Sequence, residues 1–149
     1  MSMGMTEREV KAYLGSIKIL SEKRDKKLEQ VDELRSVATN CVAPTDKEPI
    51  QSSGSGDKMA NIVGKMVDLL KEIEDLDEII RDRKSLVYRM SDKLPNDRHS
   101  QYIKLRFLEK NGFYDTVMKM ELTDSTARRI ERKAISEMTV LMNEVKHNI

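Results

Sequence analysis

The stretch DKMANIVGKMVDLLKEIEDLDEIIRDRKSLVYRMS, running from Asp57 to Ser91, decides the fold. Within it Met59, Ile62, Met66, Leu69, Ile73, Leu76, Ile80, Val87 and Met90 recur at spacings of three and four, with Arg83 the interruption. That period belongs to a helix with one apolar face. The flanking positions, Lys65, Asp68, Lys71, Glu72, Asp75 and Arg81 among them, are charged and suit water. At the rise of an α-helix the segment would be roughly 50 Å long. A helix of that length cannot bury its stripe alone. It needs a second helix folded back beside it, a second copy of itself, or both. The stripe is therefore assigned to a coiled coil and is the candidate dimerisation surface, with a homodimer favoured over a monomer.

Working outward toward the start, Thr6-Glu7-Arg8-Glu9 is a capping box. Val10, Tyr13, Leu14, Ile17, Leu20, Leu28, Val31, Leu34 and Ala38 then place one apolar face on a helix reaching to about Thr39. A gap falls at Arg24, where an apolar residue is due. Arg24 and Arg83 each read equally well as a register device or as the exposed end of a stripe. Asn40 to Asp57 breaks the pattern with Pro44, Pro49 and the run Ser52-Ser53-Gly54-Ser55-Gly56. This reads as a loop ending on Asp57 as the next N-cap. A loop of roughly 18 residues closes an antiparallel hairpin at small entropic cost.

Toward the other end, Pro95 and Asn96 stop the long helix. Three shorter helices follow. The first spans about Asp97 to Lys110, with Tyr102, Ile103, Leu105, Phe107 and Leu108 facing a core, and Asn111-Gly112 ends it. The second spans about Phe113 to Met120. After the turn Glu121-Leu122-Thr123, Thr123 caps a last helix that buries Ala127, Ile130, Ala134, Met138 and Leu141. The expectation is an all-α protein: a helical coiled-coil arm over residues 6–93, with its loop at 40–57, and a small helix-turn-helix domain over residues 96–146.

Composition agrees. The 149 residues are 36% charged and 4% aromatic, with no Trp, which suits long helices burying narrow stripes. A net charge of +1 means that any nucleic-acid surface must be local. The single cysteine, Cys41, excludes an internal disulfide and fits a reducing cytoplasm, where it reads as a free thiol in the loop. No signal peptide or membrane-length apolar run is present, so no membrane partner is expected. His99 and His147 lack metal-ligand spacing and read as surface histidines. Gly54-Ser55-Gly56 lacks the Lys-Ser/Thr of a phosphate-binding loop and reads as linker. No catalytic constellation, metal site, cofactor or small-molecule substrate is indicated, and the chain does not read as an enzyme.

The chemistry lies in the last helices. A helix that enters the major groove by its N-terminal end needs base-reading and phosphate-neutralising side chains on one face and packing residues on the other. Arg128, Arg129, Arg132 and Lys133 are the densest basic cluster of the last third, on the sides not used by Ile130 and Ala134. The competing reading is a solvated face, neutralised by Asp124, Glu131 and Glu137 along the same helix.

The run from Leu122 to Met138, LTDSTARRIERKAISEM, resembles the recognition helix of region 4 in bacterial primary sigma factors. There a capping Ser or Thr is followed by three polar residues, a small apolar residue, two polar residues, Ile, Glu, a variable residue, Lys and Ala. Tyr102 to Leu108 resembles the preceding region-4 helix. The layout of nearly the whole chain resembles small phage and prophage proteins of Gram-positive bacteria related to ArpU-like and RinA-like late-gene regulators. The matching features are Tyr13-Leu14, Leu34-Arg35-Ser36-Val37-Ala38-Thr39, and the loop leading into Gly56-Asp57-Lys58-Met59-Ala60-Asn61-Ile62-Val63.

This resemblance implies a regulator of phage or prophage genes that binds double-stranded DNA in the bacterial host cytoplasm, with RNA polymerase or another host protein as a further partner. Carried over by position, base reading falls on Asp124, Ser125 and Arg129, and contacts to phosphates or neighbouring proteins on Thr126, Arg128 and Lys133. With the cap Thr123 and the basic Arg132 these form the candidate DNA-binding set. Three positions depart from the pattern. Asp124 stands where a basic residue is usual and could only accept, as from a cytosine amino group. Glu121 replaces the turn Gly, and Thr116 replaces a core aliphatic residue. The specificity implied therefore differs from that for an ordinary promoter element. The alternative reading is a protein-binding module, a phage-encoded inhibitor or adaptor of a host protein, whose helix-turn-helix does not read DNA.

Overall fold

The computed structural model describes residues 4–42 and 53–147. These are all-helical, with no strand among the described residues. Helix α1 spans Glu7–Val42, α2 Ser53–Asp92, α3 Asp97–Ile103, α4 Phe113–Lys119 and α5 Asp124–His147. A π-helical turn, Lys104–Leu108, prolongs α3. Among the described residues, no helix is long and apolar enough to cross a membrane.

The two long helices extend further than the sequence suggests. Thr6 does cap α1, its hydroxyl accepting from the Glu9 N–H at 3.2 Å. Glu9 answers through that hydroxyl, which donates to its carboxylate at 3.2 Å. The expected loop is shorter than 40–57, because Asn40 to Val42 continue α1 and Ser53 to Asp57 already belong to α2. Asp57 is consequently not the N-cap. Once a helix is nucleated, each added residue gains a backbone bond, so a long helix runs on through weak formers at its end. Cys41 lies in α1 rather than in a loop. The rest of the loop reading, with Pro44 and Pro49, lies outside the described residues, as does the side chain of His147.

The chain forms two compact units, Ser21–Ile79 and Met1–Leu20 with Ile80–Ile149. In the first, Val31, Ile62, Ile73 and Leu76 are buried. Leu34, Met59, Met66 and Leu69 are half-buried. The Arg24 guanidinium meets Asp77 at 2.6 Å, and Lys27 meets Glu72 at 2.8 Å. Partners on α2 descend as positions on α1 ascend, so the helices run antiparallel here. The gap in the first stripe is therefore filled by a cross-helix ion pair. Leu28, expected on the apolar face, is 36% exposed.

The second unit has one main core. Val10, Leu14 and Ile17 from α1 meet Val87 and Met90 from α2, Leu94 beyond it, Ile103 and Phe107, and Ala134, Ile135, Met138 and Met142 from α5. Each large side chain at full burial contributes about 1.5–3 kcal/mol by leaving water. Arg83, the other interruption, donates to the Ser16 hydroxyl at 2.5 Å and lies 5.0 Å from the centre of the Tyr13 ring. Asn143 of α5 accepts from the Met5 N–H at 2.7 Å and donates to the Met5 carbonyl at 3.2 Å. A smaller core joins Tyr102, Val117, Ala127 and Ile130.

The helix expected to reach Lys110 ends earlier. The Glu109 N–H bonds back to the Lys104 carbonyl at 2.9 Å, closing the π-type turn. Lys110 then takes φ 61°. Asn111 satisfies the Leu105 carbonyl with its backbone N–H at 3.2 Å and its side-chain amide at 2.8 Å. Leu105, placed in the core by its sequence pattern, is only half-buried.

Candidate nucleic-acid interface

Helix α4 passes into α5 through a tight turn. Leu122 N–H bonds to the Val117 carbonyl at 3.0 Å, and Glu121 takes φ 54°, in the left-handed region that favours glycine. Thr123 then caps α5, its hydroxyl oxygen accepting from the Thr126 N–H at 3.2 Å. That hydroxyl also donates to the Thr126 side chain at 2.8 Å.

The helical period divides α5 cleanly. Ala127, Ile130, Ala134 and Met138 are buried. Ser125, Arg128, Arg129 and Arg132 share one exposed face, flanked by exposed Asp124 and Lys133, while Thr126 is half-buried. The fate of the acidic residues decides what this face can do. Glu131 turns inward, its side chain only 14% exposed. It accepts from the Tyr102 hydroxyl at 2.6 Å and lies 3.4 Å from the Lys11 ammonium and 3.7 Å from Arg106 Nε. The last distance is too long for a hydrogen bond, and Arg106 Nε is buried without one. Burial, reinforced by the Glu131 bond, raises the Tyr102 pKa far above its ordinary value.

Glu137 is likewise committed, bonded to His99 Nδ1 at 2.6 Å. His99 is thus buried and not a surface histidine: α3 packs on α5 and brings it to a partner far along the chain. The two glutamates expected to neutralise the basic cluster are turned to the scaffold. Among the described residues, Arg128, Arg129, Arg132 and Lys133 form no ion pair. Arg128 instead lies over the Phe113 ring, 4.7 Å from its centre.

Arg129 and Lys133 also border a cleft of 270 Å³ where α3 begins against α5. Asn96, Arg98, His99 and Thr126 form the rest of its polar lining, over a floor of Ile130. Sequence reasoning missed Arg98. It stands alone as a cation at the head of α3, and only tertiary packing brings it beside the basic residues of α5.

The stripe assigned to dimerisation faces inward. Ile62, Ile73, Leu76, Ile80, Val87 and Met90 are buried, and Met59, Met66 and Leu69 are half-buried. A different set on α2, Val63, Val67 and Leu70, spaced by four and three, is 47%, 56% and 43% exposed. Among the described residues, no group of three His, Cys, Asp or Glu could hold a metal ion. No family model, curated protein or solved structure matches the chain.

Proposed function

We propose that the protein is a sequence-specific DNA-binding regulator of phage or prophage transcription. In this reading α4 and α5 act as a helix-turn-helix similar to sigma factor region 4. Helix α5 docks in the major groove by its N-terminal half, with Asp124, Ser125 and Arg129 toward base edges and Arg128, Arg132 and Lys133 toward phosphates. A second copy pairs through the long helices, giving two recognition helices and a two-part binding site. The single observation that carries this reading is the outward basic face of α5, whose cations form no ion pair among the described residues while Glu131 and Glu137 bond inward.

Mobility shift on random and genomic duplexes at low salt tests it. Binding is expected to weaken steeply with salt, because neutralised phosphates release counterions. Arg129→Ala is expected to cost about 1–3 kcal/mol and to relax preference at one base position, whereas Arg128→Ala weakens all duplexes alike. Absence of duplex binding by the folded wild-type chain at low salt overturns the proposal.

One observation favours a second reading, an adaptor or inhibitor of a host protein. Val63, Val67 and Leu70 give α2 an exposed apolar strip that a partner helix could cover. Purification from host lysate that returns DNA and no stoichiometric protein counts against it.

A further inference from the structure

We propose that the cleft between the head of α3 and the first turns of α5 is a phosphate pocket, and that Arg98 is a second anchor for nucleic acid. The identity of the phosphate as one in a duplex backbone rests on the DNA-binding reading above. The pocket itself rests on different observations.

Three cations border a 270 Å³ space, Arg98 from α3 and Arg129 and Lys133 from α5. No carboxylate lines it. Acids close in sequence are directed elsewhere, Glu131 to Tyr102 and Lys11. Asp97 borders a separate cleft with Asp92 and Glu109. Glu137 is held by His99 Nδ1. Arg98, Arg129 and Lys133 are exposed at their positions, and none forms an ion pair among the described residues. Like charges gathered without a counter-charge repel one another, so the arrangement is relieved by an anion. The remaining polar lining can hydrogen-bond: the Thr126 hydroxyl, the Asn96 amide and the imidazole of His99, whose ring is fixed by Glu137. The Arg98 fork, with the Lys133 ammonium on the same cleft, suits the tetrahedral oxygens of phosphate better than a planar carboxylate held at one edge.

The position of the pocket gives it a role. Arg129 belongs both to the outward face of α5 and to the pocket wall, so a phosphate seated there fixes the register of α5 against a duplex. Arg98 reaches that phosphate from another helix and carries no sequence information. Its contribution is to orientation and to the number of phosphates neutralised.

The test compares full-length wild type, Arg98→Gln and Arg98→Lys by fluorescence anisotropy on two unrelated duplexes over a salt series. In parallel, inorganic phosphate is titrated while arginine and lysine side-chain NMR signals are followed. Arg98 is exposed, so both variants are expected to keep the wild-type melting profile. Arg98→Gln is expected to weaken both duplexes by the same factor, about five- to tenfold, and to reduce the salt slope by about one. Arg98→Lys restores the slope. Inorganic phosphate is expected to shift the Arg98, Arg129 and Lys133 signals together. If wild type binds duplex and Arg98→Gln leaves affinity and slope unchanged, the pocket proposal is overturned and the DNA-binding reading survives. If duplex does not bind but phosphate saturates these signals and Arg98→Gln abolishes that, the pocket stands with free phosphate as its ligand and the DNA-binding reading falls. If neither binds, both are lost.

Discussion

Glu131 sits on the helix proposed to meet DNA, yet it serves the scaffold. Its carboxylate gathers Tyr102, Lys11 and Arg106 from three other segments. Tyr102 carries a pH consequence. Burial, then the bond to Glu131, raises its pKa above the ordinary 10.0, and burial raises that of Tyr13 as well. In the unfolded chain both ionise near the ordinary value. Their protonated forms therefore stabilise the fold fully below that pH, and this stability is lost as the pH climbs toward the folded values. Denaturant midpoints are expected to fall between about pH 9 and 11, and Tyr102→Phe is expected to show a flatter decline. At Glu121, φ 54° strains a residue with a Cβ. Glu121→Gly is expected to stabilise by about 0.5–1 kcal/mol, read as a rise of about 1–4 °C in melting temperature. Of these features, the Thr123 cap was legible because its bond spans three residues. The Glu121 strain was legible as a departure from a turn that usually has Gly. His99 and Arg98 were not, since their neighbours on α5 arrive only through packing.

Helix α2 is long enough that its faces serve separate purposes. The stripe from Met59 to Met90 was readable because helical spacing survives its one interruption at Arg83, and the structure gives that arginine, and Arg24 in the stripe of α1, a polar contact. The Arg24–Asp77 pair is partly exposed, so it adds no more than about 0.2–1 kcal/mol. Its value lies in matching α1 to α2 at one register. The helix ends were not legible, because Ser-Gly-Ser-Gly is a loop signal locally while the backbone ladder of α2 extends through it. The inward turn of the stripe moves the dimer question to Val63, Val67 and Leu70. Sedimentation equilibrium of Val67→Glu is expected to shift the mass from dimer to monomer. Its monomer stability should change by less than about 0.5 kcal/mol, since the side chain is already 56% exposed. A wild-type mass equal to one chain at high concentration would remove dimerisation from the proposal.

At the scale of the whole molecule, an arm followed by a small domain describes the order of elements but not the cores. The C-terminal helices share their main core with Val10, Leu14 and Ile17 of α1 and with Val87 and Met90 of α2. Hydrophobic patterning shows which face of a helix is buried. It does not show which distant segment covers it, and the pairing of α1 with α5 has no local signature. A fragment of residues 96–147 therefore lacks much of its core and is expected to melt without cooperativity by circular dichroism. Adding residues 4–20 and 80–95, joined by a short linker, is expected to restore a sharp transition. A cooperative melt of the short fragment would show that α3 to α5 suffice.

The two hydrogen bonds between Met5 and Asn143 join positions 138 apart. A ribosome releases α1 long before α5 exists. Val10, Leu14 and Ile17 emerge first, yet Ile135, Met138 and Met142, which complete their surroundings, lie on α5 and are made after α2, α3 and α4. Closure of this core therefore waits for translation of α5, and such late, long-range closure slows folding. A premature stop before α5 would leave these early residues without their cover and remove the outward basic face entirely. The outward basic face and the last residues of the core beneath it are thus made together, on one helix.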